Sequence, residues 1–474
     1  MVRSPDRSKS GMISRASAVA VALLYGAVAA RTTAAAAPNQ AVPFSLDAAA
    51  QEPRLVQTKL REAGVGGSFE EWGIRFGGHA EAGYLYNSNR PKLRQDVIAP
   101  STIPEEPTST DHNGFGQLFT DKSDSVYLNQ FDAFVERVPL RSSNQFDLGF
   151  KVETLFGADA RYTQANGSNF YSSDYAGLTK FRVVSGFGSG QHNAAAGPRN
   201  QIDVLQAYLT ANLPVGDNGL LLTAGRFVTP WGMETIDPTH NSLYTHSYIF
   251  GLSTPRTLTG LTARYAIDDQ WGVMGGVVVG WDQSLEDNND FPSFVAQGTY
   301  QPDDRTSLVL SAIVGPEQTG NRSDFRWMLD FTADWKVSGD VHVGVESVLG
   351  YEDDAGNHRV FAGAGFPKFI TSTGNDGYWL GVAGYYDQQI DSEGVWTFHA
   401  RAEYFDDGSG MRALVGEVFE VTAGLAIRPF VNDAVGKNLV LRPEIRYDYS
   451  PQDFFDGFER KSQWLLGGDV TFAF

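Results

Sequence analysis

The sequence predicts an all-β fold: a transmembrane antiparallel up-and-down β-barrel of about 16 strands, with short periplasmic turns and long extracellular loops. Three observations predict it. Apolar and polar residues alternate over runs longer than soluble strands, aromatic residues mark both ends of such runs, and the connections alternate between short and long.

The alternation begins at Ile74. In IRFGGHAEAGYLY, Ile74, Phe76, Ala80, Ala82, Tyr84 and Tyr86 share one face, and Arg75, His79 and Glu81 the other. In QFDLGFKVETLF, Phe146, Leu148, Phe150, Val152 and Phe156 oppose Asp147, Lys151 and Glu153. FRWMLDFTADWKV and LVLRPEIRYDY repeat the pattern, with Arg326, Asp330, Asp334 and Lys336, then Arg442, Glu444, Arg446 and Asp448, on the polar side. Soluble strands usually run to about five or six residues, whereas a tilted membrane strand needs about 9–11. Sixteen runs are predicted, near residues 74–86, 126–136, 145–156, 202–212, 219–228, 257–267, 271–281, 293–300, 305–314, 325–337, 341–351, 377–388, 395–405, 417–428, 438–449 and 462–474.

In WGVMGGVVVGW, Trp271 and Trp281 fall ten residues apart on one face. At roughly 3.3 Å per residue and a tilt near 45°, that is about 23 Å along the membrane normal, close to the height of an apolar band between two aromatic girdles. Trp464 and Phe474 repeat the spacing in the last run. Connections after even-numbered runs are brief (VPLRSSN, PVGDN, DDQ, QPDD, SGD, QIDSEG, PFVNDAVGK), while residues 87–125, 157–201, 229–256 and 352–376 form the longest of the others. A soluble sandwich has no reason to segregate loop length in this way. An even strand count returns both ends to the periplasm, and the sheet must close because unpaired backbone groups are not tolerated in hydrocarbon. Pro443, inside the fifteenth run, removes one ladder donor and predicts a bulge.

Ahead of the barrel lie an expected signal peptide, residues 1–37, and a periplasmic segment, 38–73; the barrel itself is expected over 74–474. Arg3, Arg7, Lys9 and Arg15 form a basic head, ASAVAVALLYGAVAA is too short for a membrane span, and small residues allow cleavage after Ala30, Ala36 or Ala37. Residues 54–63 suit a short helix or a disordered lead-in. Cleavage would make a chain of net charge −19 more acidic still, since it removes five basic residues and only one acid, Asp6. Excess acid argues against nucleic acid as a partner, and the absence of cysteine removes disulfides and thiolate chemistry. The localisation implied is the outer membrane of a Gram-negative bacterium, with lipid and lipopolysaccharide as surroundings.

The inward parity carries Glu81, Asp132, Lys151, Glu153, Arg226, Arg264, Arg326, Asp330, Glu346, Arg401, Glu403, Arg442, Glu444 and Arg446, together with His79, His342 and His399. Sixteen strands enclose a lumen wide enough for water. A wet lumen tolerates polar residues without further purpose; alternatively, facing rows of acid and base set a transverse field and an ion preference. The acidic total predicts a weak preference for cations. The connection 229–256 holds Pro230, Trp231, Tyr244, Tyr248 and Phe250, an apolar content unusual for a loop in water. It is expected either to fold inward as a constriction or to pack against neighbouring loops.

Several residues carry a family resemblance. They are Gly78, Tyr84, Tyr86 and NSNRP (Asn87, Asn89, Arg90, Pro91), then AGRFVTPWGME (Gly225, Arg226, Phe227, Pro230, Gly232, Glu234). Asn241, Tyr244, TGL (Thr259, Gly260, Leu261), GWD (Gly280, Trp281, Asp282) and DNN (Asp287, Asn288, Asn289) extend it. In these residues the chain resembles the OmpL-like β-barrel porins, over roughly Gly78 to Tyr351, with the C-terminal quarter matching only as generic barrel. The family pattern has Asn before GWD where this chain has Val279. The resemblance implies a water-filled outer-membrane channel for passive diffusion of ions and small hydrophilic solutes, and implies no ligand.

Phe472 and the terminal Phe474 look like the C-terminal signal read by the barrel assembly machinery, or are girdle aromatics, or both. Asp282, Glu286, Asp287 and Asp290 offer hard oxygen ligands but lack EF-hand spacing, so no metal and no cofactor is expected. No HExxH, GxSxG or P-loop is present, and catalytic residues are not expected. A barrel hydrolase is the weaker alternative to a pore, and an adhesin or structural barrel presenting its long loops is the other. A homo-trimer rests on analogy alone.

Overall fold

The computed structural model describes residues 55–89, 117–140, 145–168, 199–354, 376–412 and 416–474. The expected signal peptide, residues 38–54 of the segment after it, Arg90 and Pro91, part of the VPLRSSN turn and most of loops 87–125, 157–201 and 352–376 lie outside the described residues.

Sixteen strands run in chain order: β1 (Ile74–Asn87), β2 (Tyr127–Arg137), β3 (Asp147–Gly157), β4 (Gln201–Leu213), β5 (Leu220–Val228), β6 (Thr257–Ala266), β7 (Trp271–Val278) and β8 (Ser293–Asp303). They continue as β9 (Thr306–Pro316), β10 (Phe325–Lys336), β11 (Val341–Glu352), β12 (Gly377–Gln389), β13 (Trp396–Asp407), β14 (Gly416–Ile427), β15 (Leu439–Tyr449) and β16 (Ser462–Ala473). Each pairs antiparallel with its sequence neighbours, and β16 pairs with β1 from His79↔Ala473 to Asn87↔Leu465, closing the barrel. Closure reaches the last residue. The Phe474 amide donates to the Gly78 carbonyl at 2.9 Å, and the Gly78 amide donates back at 3.1 Å. A Cβ on Gly78 would lie 2.1 Å from the Asp132 carbonyl oxygen and 2.8 Å from the Phe474 ring, so this crossing requires glycine.

The alternation becomes an inside-out arrangement. Phe146, Leu148, Val152 and Phe156 are exposed on the outer face, while Glu153 and Leu155 between them are buried. Such a wall is stable only in hydrocarbon, with every ladder bond made within the sheet. Aromatic pairs stand at both rims: Trp271 stacks on Tyr300 at 4.2 Å on the short-turn side, and Tyr447 faces Trp464 at 4.6 Å on the long-loop side. Before β1, α1 (Leu55–Glu62) and α2 (Gly66–Glu71) form a helical hairpin, and Phe69 meets Phe76 edge-on at 5.1 Å.

Two expectations are corrected. Strand β7 ends at Val278, and Trp281 is fully buried in an apolar cluster with Trp231, Tyr248, Trp379 and Phe405. It is not a girdle residue, because the chain leaves the sheet before reaching it. Trp464 and Phe474, which still bracket β16, keep the spacing argument. Pro443 makes no bulge. Pairing of β14 with β15 lapses between Gly424↔Glu444 and Ile427↔Leu441 and resumes in the same register. The missing N–H is tolerated as a local gap rather than an inserted residue.

Candidate functional site: a loop held across the barrel

Between Val228 and Thr257 the chain leaves the wall. Local side-chain bonds shape this connection. The Asp237 carboxylate accepts from the Thr239 amide at 2.9 Å and opens a short helical turn, Pro238–His240. Asn241 ties both its amide groups to Thr235, at 2.9 and 2.8 Å. A π-helical turn, Ile249–Ser253, follows. Trp231, Tyr244 and Tyr248 are buried and Pro230 half-buried, so the apolar content that is unusual for a water-facing loop belongs to an interior one.

Irregular backbone out of contact with water leaves N–H and C=O groups that need partners. Inward-facing charges on the wall supply them. Glu346 on β11 accepts from the Met233 amide at 3.1 Å. Glu444 on β15 accepts from Tyr244 at 2.8 Å and Thr245 at 3.2 Å, and Glu403 on β13 from Tyr248 at 2.7 Å and Ile249 at 2.6 Å. Arginines take the carbonyls. Arg442 donates to Pro238 at 2.8 Å, Asn241 at 2.6 Å and Leu243 at 3.2 Å, Arg401 to Thr245 at 2.7 Å, and Arg446 to His246 at 2.6 Å. Gln130 on β2 and Gln297 on β8 donate to the carbonyls of Ile236 and Pro230 at 2.8 and 2.7 Å. The anchors come from β2, β8, β11, β13 and β15, on opposite sides of the ring, so the segment crosses the interior. Bonds with one charged partner are the stronger kind.

Within the loop, Glu234 accepts from the Ser247 amide at 3.0 Å and pairs with His246 at 2.8 Å and Arg401 at 2.7 Å. Burial opposes its charge, yet the Arg401 guanidinium and the His246 ring hold its carboxyl at about 2. Burial pushes His246 below its ordinary value against the pull of Glu234.

The other inward residues form pairs. Arg401 binds Glu420 at 3.0 Å, Arg446 binds Asp448 at 2.8 Å, and Arg442 bridges Asp469 and Glu81, the latter at 3.3 Å. Arg226 engages Asp203 at 2.9 Å, Arg326 binds Glu352 at 2.8 Å, and Lys151 binds Glu153 at 2.8 Å. Asp132 lies 4.0 Å from His79, Asp330 is buried on β10, and Arg264 is half-buried with its guanidinium 3.8 Å from the Met274 sulfur. Of the facing rows expected of acid and base, Glu81, Glu153, Lys151, Arg226, Arg326, Arg401, Arg442 and Arg446 are in direct acid–base contacts, whereas Glu346, Glu403 and Glu444 hold loop amides instead. Parity placed the wall partners Asp469 and Glu420 inward without naming them; Glu352 fell one residue past the predicted end of its run, in a strand that extends to it. Glu234 was marked only by the family resemblance, and nothing local in the sequence marked His246. Arg412, also unforeseen, sits with its guanidinium 4.9 Å from the Trp281 ring and 5.2 Å from that of Trp379.

The acidic stretch after β7 is not gathered. Asp282 accepts from the Arg256 and Thr257 amides at 2.8 and 3.0 Å, Asp287 caps the Asn289 amide at 3.0 Å, Asp290 pairs with Arg322 at 2.7 Å, and Glu286 is exposed. Among the described residues no group of three or more His or acidic side chains is arranged to hold a metal ion. His399 and Asp387 lie 2.5 Å apart, and Ser242 donates to Asp387 at 3.1 Å. That order puts the hydroxyl on the carboxylate rather than on the imidazole, unlike a nucleophile with its base.

Residues 73–474 match the family described as "Putative beta-barrel porin-2, OmpL-like". The chain belongs to this family. It is an outer-membrane porin, and the match continues to Phe474, past the Gly78–Tyr351 span that carried the resemblance. No curated protein sequence matches the chain. Among solved structures, the outer membrane channel DcaP of Acinetobacter baumannii is 12% identical and covers 85% of this chain and 97% of its own, with a TM-score of 0.47. An anion-selective porin from Comamonas acidovorans is 8% identical over 85% and 99%, TM-score 0.48. OmpT of Vibrio cholerae, in a trimer form, is 10% identical over 85% and 99%, TM-score 0.45.

Proposed function

We propose that this porin passes ions and small hydrophilic solutes along a path set by segment 229–256, with the loop that carries Pro230, Trp231, Tyr244 and Tyr248 as the constriction and the fourteen inward charges as its fixed frame. The observation that carries this is the double grip: wall carboxylates hold the loop amides, and wall arginines hold its carbonyls. Most of these anchors bind main chain, and side-chain ties such as Arg401 with Glu234 and Asp387 with Ser242 add to them. The fourteen inward charges divide evenly into acids and bases, so the preference for cations rests on the acidic total of the chain, net −19. The same reading includes export by a cleaved signal peptide, assembly directed by Phe472 and Phe474, and a trimer in the membrane. The test is conductance of the refolded mature chain in a planar bilayer under a salt gradient. Small, stable steps with a reversal potential favouring cations support the reading. A folded barrel that never conducts contradicts it and turns attention to the long loops as an adhesive surface.

A further inference from the structure

On the short-turn side of the loop lies a cavity of about 180 Å³, between the turn Pro238–Ser242, strand β13 and the connection from β14 to β15. Among the described residues that line it there is no carboxylate, in a chain whose net charge is −19. The lining includes Arg428 and Lys437, both in the β14–β15 connection, with the Thr471 hydroxyl beside them; the hydroxyls of Thr239 and Ser242 also line it and donate outward to Asp237 and Asp387, at 2.7 and 3.1 Å. Among the described residues neither Arg428 nor Lys437 has a side-chain hydrogen bond or ion pair, whereas Arg442 behind them is fully engaged by Asp469, Glu81 and three carbonyls. His399 also lines the cavity. It is 4% exposed, its Nδ1 is engaged by Asp387, and its Nε2 is buried with no hydrogen-bond partner.

We propose that this cavity is a binding site for a small hydroxycarboxylate, its carboxylate held by Arg428 and Lys437, with the loop hydroxyls of Thr239 and Ser242 left to accept from the solute's own hydroxyl and with His399 at its inner wall. A guanidinium matches a carboxylate fork, and an ammonium adds a second positive charge. The volume is about six times the share of one water in the liquid, too large for a lone inorganic anion to fill and suited to a four-carbon diacid. Burial and the neighbouring Arg442 charge disfavour the charge on Arg428, and a bound anion would relieve both. The site would hold such solutes at the periplasmic mouth, locally opposing the acidic character of the rest of the chain.

The inference rests on the pore reading only for how the solute arrives. Binding at equilibrium is therefore the test, since it does not depend on conductance. The full chain in detergent micelles is titrated calorimetrically with L-malate, with its neutral diamide and with inorganic phosphate. Saturable malate binding is expected, with none for the diamide and weaker binding for phosphate. Binding should fall by at least about 10-fold in Arg428→Gln/Lys437→Gln. Lys437→Gln alone changes only an exposed turn residue, leaves the fold intact, and should weaken malate in the same direction. Absence of saturable malate binding, equal binding of the diamide or phosphate, or undiminished binding in the folded variants would overturn the assignment.

Discussion

On the outer wall Leu310, Val421 and Leu466 leave 51, 56 and 54% of their surface open, and the residues beside them, Ser311, Thr422 and Leu465, are wholly buried. One side of the sheet meets lipid, a medium that asks only for apolar surface. The other side meets specific partners: Arg442 on β15 reaches Glu81, 361 residues away, and the carbonyls of a loop about 200 residues away. Outer-wall residues are interchangeable within a chemical class, while lumen residues are matched to particular partners. Substitutions should therefore behave differently on the two faces.

The largest effect is expected at Arg442. Arg442→Ala leaves Glu81 and Asp469 without their shared cation and releases three loop carbonyls. Breaking a buried ionic group in this way costs about 3–5 kcal/mol. A lower urea midpoint and noisier single-channel current should follow, and an unchanged midpoint would show that the loop is held elsewhere. On the outer wall, Leu310→Arg near the middle of β9 should cost about 2–4 kcal/mol, while Leu310→Ile should fold as the parent does. Urea titration of the pair in lipid vesicles checks this; equal tolerance of both would place β9 outside the apolar band.

Acid should loosen the loop in two stages. His246 is pushed below its ordinary 6.5, so it contributes stability that is present above 6.5 and lost as pH falls through its folded value. Glu234 is held at about 2 against an ordinary 4.5, so its contribution is present above 4.5 and lost as pH falls towards 2. Protection of the Ser247 amide from hydrogen exchange, corrected for intrinsic rate, should fall on acidification below neutral. A rise instead would reverse the assigned sign. The smallest effect sharpens the comparison between faces: Trp281→Phe should leave quenching of tryptophan fluorescence by brominated lipid unchanged, and Trp271→Phe should reduce it, because of these two Trp271 is exposed on the outer wall and Trp281 is fully buried.

The wall was legible because its rule is local. A period of two and long runs assign the parity of Glu81, Arg401 or Arg446 without knowledge of any neighbour. Strand ends were less legible: the alternation of WGVMGGVVVGW continues past Val278, and nothing in the pattern shows that Trp281 has turned inward to pack against Trp379 and the Arg412 guanidinium. Pro443 announced a lost donor but not whether the register would shift. The loop's apolar content hinted at burial. Its anchors were illegible, since which carboxylate meets which amide depends on barrel closure across hundreds of residues.

The central claim is that segment 229–256 sets the opening of this channel, and the most direct measurement compares single-channel conductance of the parent with that of a variant in which residues 231–250 are replaced by a short Gly-Ser linker. Sixteen strands enclose a water-wide lumen once nothing crosses it, so the account predicts a several-fold larger step in the variant, with both proteins folded by gel mobility. Equal conductance in the two proteins would contradict it, because solutes would then be passing along a route that the loop does not control.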